Sequence, residues 1–273
     1  MTLAELPADL PAILIRVAPH VVAFDLARYS IAALGMAAVV AWLRARGSRR
    51  RIQSRSPRDA DYAREVLTSL RTVLVFAAAS VLVIWARRNG VIPMPAHVTS
   101  GLVALHVAAL LLWHDTWFYW THRAMHARRV FPWMHRTHHR STTPTPFAAY
   151  AFSTSEAVVQ TAFLPLWLLV VPAPLLATFI FLVIMIVRNV MGHAGFELHP
   201  RGWADHPLLQ WINTTVHHDL HHSGGFDSNY GLYFTWWDRW CGTEHRDYRA
   251  RFRALTATPL PSGLDQAGVA RVG

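Results

Sequence analysis

Long apolar runs, rather than short alternating ones, dominate the first part of the chain. Three are plain, at about residues 29–43, 72–86 and 98–113. Each is slightly shorter than the ~20 residues that a helix needs to cross ~30 Å of hydrocarbon, but aromatic or polar residues extend both ends. The pattern therefore predicts three membrane-spanning helices.

A fourth apolar region runs from about 157 to 187 and is broken at "VPAP" by Pro172 and Pro174. Because proline disrupts a helix, this region forms either two spans in a tight hairpin or a pair of half-helices. Either form returns the chain to the side that it left. We therefore expect an all-α polytopic membrane protein with about four transmembrane helices. A single domain is expected over residues 1–256, followed by a flexible tail over 257–273.

Arginine supplies all of the formal positive charge, since the chain has no lysine and a net charge of +10. The arginine-rich stretch "RARGSRRRIQSRSPR" at 44–58 follows the first span, whereas only Arg87 and Arg88 follow the second. Basic loops favour the cytoplasmic side, which makes a nucleic-acid-binding arm the weaker interpretation. Residues 44–71 are thus predicted inside, 87–97 outside, and everything from 188 onward inside. The stretch 1–28 does not resemble a cleaved signal peptide.

The cysteine count limits the metal chemistry. A single cysteine, Cys241, excludes an internal disulfide, a four-cysteine zinc site and an iron–sulfur cluster held by four thiolates. Any metal must therefore be held by nitrogen and oxygen ligands.

Histidines cluster in three short segments, "HRAMH" (122–126), "HRTHH" (135–139) and "HHDLHH" (217–222). In a helix, residues three and four positions apart share a face, so the members of each cluster are able to point the same way. Eight imidazoles exceed the needs of one tetrahedral zinc but suit two metals with three or more nitrogens each. The eight are His122, His126, His135, His138, His139, His218, His221 and His222.

Three segments carry a family resemblance: "DTWFYWTHRAMH", "WMHRTHH" and "INTTVHHDLHHSGGFDSNYGLYFTWWDRWCGTEH". They resemble the signature segments of the sterol desaturase and fatty acid hydroxylase superfamily, and the last is similar to sterol C5-desaturases. The resemblance covers about residues 113–245. It implies a cytosolic, histidine-rich helical cap that holds a non-haem di-iron centre, which activates O2. It also implies that the eight histidines are ligands, with His193 in "MGHAGFELHP" as a ninth.

Other residues near these segments have alternative roles. His199 and His217 either complete the ligand set or orient ligating rings. The "NYG" and "WDR" segments place Asn229, Tyr230, Gly231 and Asp238 near the site by resemblance. Asp238 is suited to accepting the second ring N–H of a ligand histidine, capping a helix or pairing with Arg239, and Asp115 and Asp219 are ambiguous in the same way. Four isolated histidines are interpreted as structural or exposed: His20, His97, His106 and His206.

The function predicted from these features is O2-dependent hydroxylation or desaturation of a membrane lipid, either sterol-like or an acyl or ether lipid. The chain has no CxxCH haem-attachment motif, cysteine cluster or glycine-rich dinucleotide loop, so a separate reductase, ferredoxin or cytochrome must supply electrons. No nucleic-acid partner is expected.

Two other classes compete with this function. A zinc-dependent membrane hydrolase would need about three protein ligands and commonly an HExxH-like carboxylate base, which is absent. A metal transporter would need polar groups within the spans, which are expected to be nearly free of them apart from His106.

Overall fold

The structure, a computed structural model, describes residues 8–258, and this part of the chain is helical. It contains no β-strand, only the isolated bridges Arg51–Phe196 and Ile212–Phe234. The α-helices are α1 Leu10–Arg16, α2 Ala18–Ala45, α3 Asp59–Arg88, α4 Ser100–Met125, α5 Phe131–Met134, α6 Arg136–His139, α7 Thr154–Val170, α8 Leu175–Gly192, α9 Thr215–Ser223, α10 Trp236–Trp240 and α11 Tyr248–Thr256. Single 3-10 turns lie at Pro146–Tyr150, Trp203–Asp205 and Leu209–Trp211. Most of the predicted tail lies outside the described residues.

Four of these helices are long and apolar enough to cross a membrane, as the apolar pattern predicted: α2, α3, α4 and α8. They have 28, 30, 26 and 18 residues. The first three extend well beyond the apolar runs that predicted them, because a helix continues into polar sequence at the membrane surface. The chain is therefore an all-α polytopic membrane protein.

The fourth apolar region forms a helical hairpin. Helix α7 has 17 residues and α8 has 18, and the chain between them at 171–174 holds Pro172 and Pro174. At 1.5 Å per residue, these helices are about 26 and 27 Å long. The region thus forms two consecutive helices joined by a short turn, of which α8 is among the candidate spans and α7 is one residue shorter.

The bundle holds together through buried contacts between helices and presents large apolar side chains outward. One core cluster joins α2, α3 and α8 through residues such as Ala33, Phe76 and Val190. On the outer surface, Ile31 and Leu105 are 74% and 64% exposed. Such side chains suit contact with lipid rather than water.

The histidine-bearing segments lie at one end of the bundle. There, the Arg51–Phe196 bridge joins the α2–α3 connection to the chain after α8. At the opposite end, Arg87 Nη2 donates to Ala173 O (3.1 Å), which joins the end of α3 to the α7–α8 turn. The arginine-rich stretch 44–58 therefore lies at the histidine end, as the predicted topology requires. That this end faces the cytoplasm stays a prediction.

The apolar runs hold no acidic or basic residue apart from His106, as expected, but the helices that extend beyond these runs do. Helix α2 buries an ion pair between Arg28 Nη2 and Asp25 Oδ1 (2.8 Å), and α4 buries His114 and Asp115. These residues lie where the helices extend past the apolar runs, since Asp25 and Arg28 precede the first run and His114 and Asp115 follow the third.

Candidate metal centre

Helix α9 carries the densest histidine segment and lies at the centre of the cap. Thr214 caps its N-terminus, with Oγ1 accepting from His217 N (3.4 Å). Every residue from 215 to 222 is buried, so the helix is enclosed on all sides. Imidazoles are seldom enclosed in this way unless their nitrogens have partners, which a metal supplies.

Nine histidines converge in the cap and form two groups. The potential ligand atoms within each group lie within 4.8 Å of one another. Group A comprises His122, His126, His135, His139 and His221, and group B comprises His138, His193, His218 and His222. All are buried except His126, which is half-buried.

The two "HxxHH" segments divide between the groups in the same way. In the first, His135 and His139 belong to group A and His138 to group B. In the second, His218 and His222 belong to group B and His221 to group A. Residues four positions apart therefore serve one group, and the histidine at the third position crosses to the other. This division interlocks the groups, so that neither forms independently.

The nitrogen separations within each group match those of a coordination shell. The Nε2 atoms of His122 and His135 are 2.9 Å apart, and those of His126 and His139 are 3.2 Å apart. In group B, His193 and His218 are separated by 3.1 Å and His218 and His222 by 3.2 Å, again between Nε2 atoms. Ligands at about 2.0–2.2 Å from a metal lie about 3.0–3.4 Å from each other, so the residues fit metal ions.

Protein acceptors orient several of these rings through the second nitrogen. The Nδ1–H groups of His122, His193 and His221 donate to backbone carbonyl oxygens at 2.7–2.9 Å. A carbonyl only accepts, so the proton resides on Nδ1 and the Nε2 lone pair is free for a metal. In His221, Nε2 is buried with no protein hydrogen-bond partner among the described residues, as expected for a ligand atom.

Burial keeps the cap histidines uncharged. Desolvation lowers the pKa of His138, His139, His218, His221 and His222 well below its usual value, and the neighbouring imidazoles lower it further. The neutral imidazole is the form that binds metal. Together the groups offer nine nitrogen donors without a carboxylate, a set suited to first-row transition metals and larger than one zinc requires.

His199 and His217 lie outside both groups. His199 Nδ1 lies 2.8 Å from Glu197 Oε1, and its ring packs against Trp203. His217 packs against Tyr248, and burial lowers its pKa to about 3. Its Nε2 is 3.7 Å from Asp238 Oδ2, too far for a hydrogen bond.

The loop after α9 is organised by Asp238 and Asn229. Asp238 accepts hydrogen bonds from the backbone N–H groups of Tyr230 (2.9 Å) and Gly231 (2.8 Å). Tyr230 O in turn accepts from His122 Nδ1. Asp238 therefore supports group A by fixing the backbone of this loop, not by a direct hydrogen bond to a histidine ring. Asn229 has a left-handed φ of 60° and donates from Nδ2 to His217 O (2.8 Å).

The other two ambiguous carboxylates also have structural partners. Asp115 accepts from the backbone N–H of Tyr233 (2.7 Å), and so attaches the same loop to α4. Asp219 accepts from Gln53 Nε2 at 3.0 and 3.1 Å, which attaches α9 to the arginine-rich connection. Arg239, a possible partner for Asp238, pairs instead with Glu244 (3.0 Å).

Sequence reasoning missed two buried residues, one beside group A and one at the inner apolar cavity. Glu156 Oε1 lies 2.7 Å from His135 Nδ1, although the two are 21 positions apart. His114 Nδ1 lies 2.8 Å from the Tyr233 hydroxyl, and His114 lines an apolar cavity. A lone glutamate at the start of an apolar stretch was the only signal for Glu156. The four isolated histidines belong to neither group: three are exposed, and His106 is half-buried.

Comparison with known proteins supports these observations. The profile of the fatty acid hydroxylase family matches residues 107–243, half of the chain. Cholesterol 25-hydroxylase of Mus musculus is 32% identical over 201 residues, which are 71% of this chain and 61% of that protein. Lathosterol oxidase of Homo sapiens is 33% identical over 138 residues, covering 50% of this chain and 44% of that protein.

A methylsterol monooxygenase of Aspergillus fumigatus is 30% identical over 159 residues, 56% of this chain and 51% of that protein. The chain thus spans about half the length of the curated relatives that it matches. No solved structure gives a significant match. The superfamily predicted from the histidine segments is confirmed, and the chain belongs to the fatty acid hydroxylase family.

Proposed function

We propose that this protein is an O2-dependent oxidoreductase that hydroxylates or desaturates a membrane lipid at a di-iron centre. The observation that carries the proposal is the pair of interlocked histidine groups at one end of the helical bundle. The two groups offer five and four imidazole nitrogens to metal. When bound there, iron would supply the O2 activation and C–H cleavage that amino-acid side chains cannot. The proposed ligands are the nine histidines of groups A and B.

A route for a lipid leads from the bilayer toward these groups. A groove of about 380 Å³ lies among α2, α3, α7 and α8 and is lined mainly by apolar residues. It shares Ser80, Thr161, Leu164 and Leu182 with an inner cavity of about 60 Å³. The inner cavity reaches Phe152, whose ring packs against His138 at 5.2 Å. An apolar molecule that enters the groove would thus have a path toward group B.

The relatives favour a lipid substrate. Their names describe the oxidation of sterols or methylsterols, and this chain carries the family's histidine segments together with an apolar route. We propose a sterol-like or an acyl or ether lipid as the substrate.

A separate protein would supply electrons. Exposed arginines surround the histidine segment 126–140, at positions 128, 129, 136 and 140. Such a surface favours association with an acidic partner, such as a reductase, ferredoxin or cytochrome. The arrangement also requires this face to be cytoplasmic, as the arginine pattern predicts.

Metal analysis joined to turnover tests this function. We expect two irons per purified chain, and O2-dependent conversion of an extracted lipid that adds about 16 mass units for hydroxylation or removes about 2 for desaturation. His221→Ala should lower both iron content and turnover, because it removes a nitrogen of group A, whereas His97→Ala, at an exposed position, should leave both unchanged.

Other results would favour the competing classes. One zinc per chain with hydrolytic activity would favour the zinc hydrolase, and reversible metal transport without lipid conversion would favour the transporter. Either result would contradict the proposal.

A further inference from the structure

Polar side chains from three separate segments meet inside the bundle, where the groove joins the inner cavity. Arg28 of α2 donates from Nη2 to Asp25 Oδ1 (2.8 Å) and from Nη1 to the hydroxyl of Tyr150 (3.2 Å). Asp25 lines the groove, while Arg28, Tyr150 and Gln160 line the cavity. Polar groups at this depth are costly, and they usually mark a substrate path or binding site.

Among these polar side chains, Gln160 of α7 has an amide group that makes no hydrogen bond to the described residues. It is 8% exposed, and neither Oε1 nor Nε2 has a hydrogen-bond partner among the described residues. Asp25 Oδ2 and Arg28 Nε are likewise buried and unpaired. A buried amide without partners is unfavourable by itself, so the site is suited to a ligand that both donates and accepts a hydrogen bond.

The location of Gln160 places this ligand close to the histidine groups. Gln160 follows Glu156, the partner of His135, by one helical turn, about 6 Å along α7. Asn189 lines the same cavity, and its backbone oxygen accepts from Nδ1 of His193 (2.7 Å). The cavity therefore lies against Asn189, which supports group B through His193, and one helical turn from Glu156, which contacts group A.

The charge balance of the site selects an uncharged ligand. Arg28 is the cation among the described residues that line the inner cavity, and Asp25 compensates it, so a carboxylate or phosphate there would meet no unpaired cation and would be close to the Asp25 carboxylate. The other arginine along the route, Arg87, lines only the groove, at its opposite end beside the α7–α8 turn. A hydroxyl group, by contrast, donates and accepts at once and carries no charge.

We propose that Gln160, beside the Arg28–Tyr150 pair, binds the single uncharged hydroxyl group of the substrate lipid inside the membrane. The inference rests on the proposed function, since it assigns the substrate class of that site. The ring hydroxyl of a sterol and the terminal hydroxyl of a long-chain alcohol share the required chemistry. Gln160 is thus a specificity-determining residue that sets which lipids enter and how they are oriented.

Equilibrium binding to the iron-loaded protein without O2 tests this inference independently of turnover. The probes are radiolabelled cholesterol and radiolabelled 1-hexadecanol, each competed with unlabelled alcohol or its O-methyl ether in detergent micelles. The wild type should bind at least one alcohol about tenfold more tightly than its ether, because the ether cannot donate a hydrogen bond. The probe that shows this preference identifies the source of the hydroxyl.

Gln160→Met keeps the length of the side chain and removes its hydrogen bonds. This variant should lose the preference for the alcohol while keeping the affinity for the ether, which also shows that its cavity is intact. Gln210→Met makes the same change in the 3-10 turn Leu209–Trp211, outside the cavity, and should keep the preference.

Equal affinity of the wild type for both alcohols and their ethers would overturn the inference, and so would a preference that persists in Gln160→Met. Neither result affects the proposed function, which depends on iron content and turnover. Conversely, a preserved hydroxyl preference in a protein that binds zinc and lacks oxidase activity would overturn the function alone.

Discussion

The Glu156 carboxylate lies 2.7 Å from Nδ1 of His135, and both side chains are almost fully buried. The two atoms are close but not aligned as a hydrogen bond, so the carboxylate acts on the ring through its proximity to Nδ1, which favours the proton on that nitrogen and leaves Nε2 as the donor to a metal. Glu156 thereby connects α7, which lines the proposed lipid route, to group A.

Replacing Glu156 with glutamine should weaken metal binding by group A. The change keeps the shape of the side chain but replaces the carboxyl group with an amide, a poorer partner for Nδ1, and loss of such a partner typically costs about 10–100-fold in metal affinity. Competition with a chelator, followed by metal analysis, measures this. Glu244→Gln makes the same change at the partly buried ion pair with Arg239, outside both histidine groups, and should have no effect on metal. Unchanged affinity in Glu156→Gln would show that the contact does not support the centre.

Adjacent histidines should have separable effects. His138→Ala should reduce metal at group B, and His139→Ala should reduce metal at group A, because their rings belong to different groups. Metal titration of each variant, with electron paramagnetic resonance to distinguish the remaining iron, measures this. If both variants lost the same metal and kept the other, the division into two groups would be wrong.

The metal-free protein should lose stability as the pH falls below about 6.5, the usual pKa of histidine. Burial lowers the pKa of histidines such as His138 and His218 in the folded state, so the unfolded chain binds more protons below that value. Stability is therefore fully present above about pH 6.5 and declines as the pH falls toward the folded-state pKa values. Thermal unfolding between pH 8 and 5 measures it. A flat profile would mean that these rings are solvated without metal.

Reporter fusions should reveal the orientation of the bundle. Fusions at about residue 60 and after residue 250 should report the cytoplasm, and one near residue 92 the opposite side, because basic loops favour the cytoplasmic side and the stretch 44–58 is rich in arginine. A signal from the opposite side after residue 250 would contradict this topology. It would also separate the histidine groups from a cytoplasmic electron donor.

Local sequence was sufficient for the spans and for the candidate ligands. Apolar runs predicted the spanning helices, because crossing hydrocarbon demands a long stretch of apolar residues in one place in the chain. Histidines spaced three and four apart identified eight of the nine converging rings, because a single helical turn brings such positions together. The ninth, His193, was assigned from the family resemblance, because no other histidine lies three or four positions from it.

Only the tertiary structure decided how these parts combine. Helical geometry points the adjacent rings of His138 and His139 in different directions, but which group each ring joins depends on histidines of other segments. His217 adjoins His218 but points toward Tyr248, away from both groups. The Glu156–His135 contact and the site around Gln160 join segments far apart in the chain. Periodicity reports only on neighbours within an element, so contacts between elements have no local signature and follow from packing.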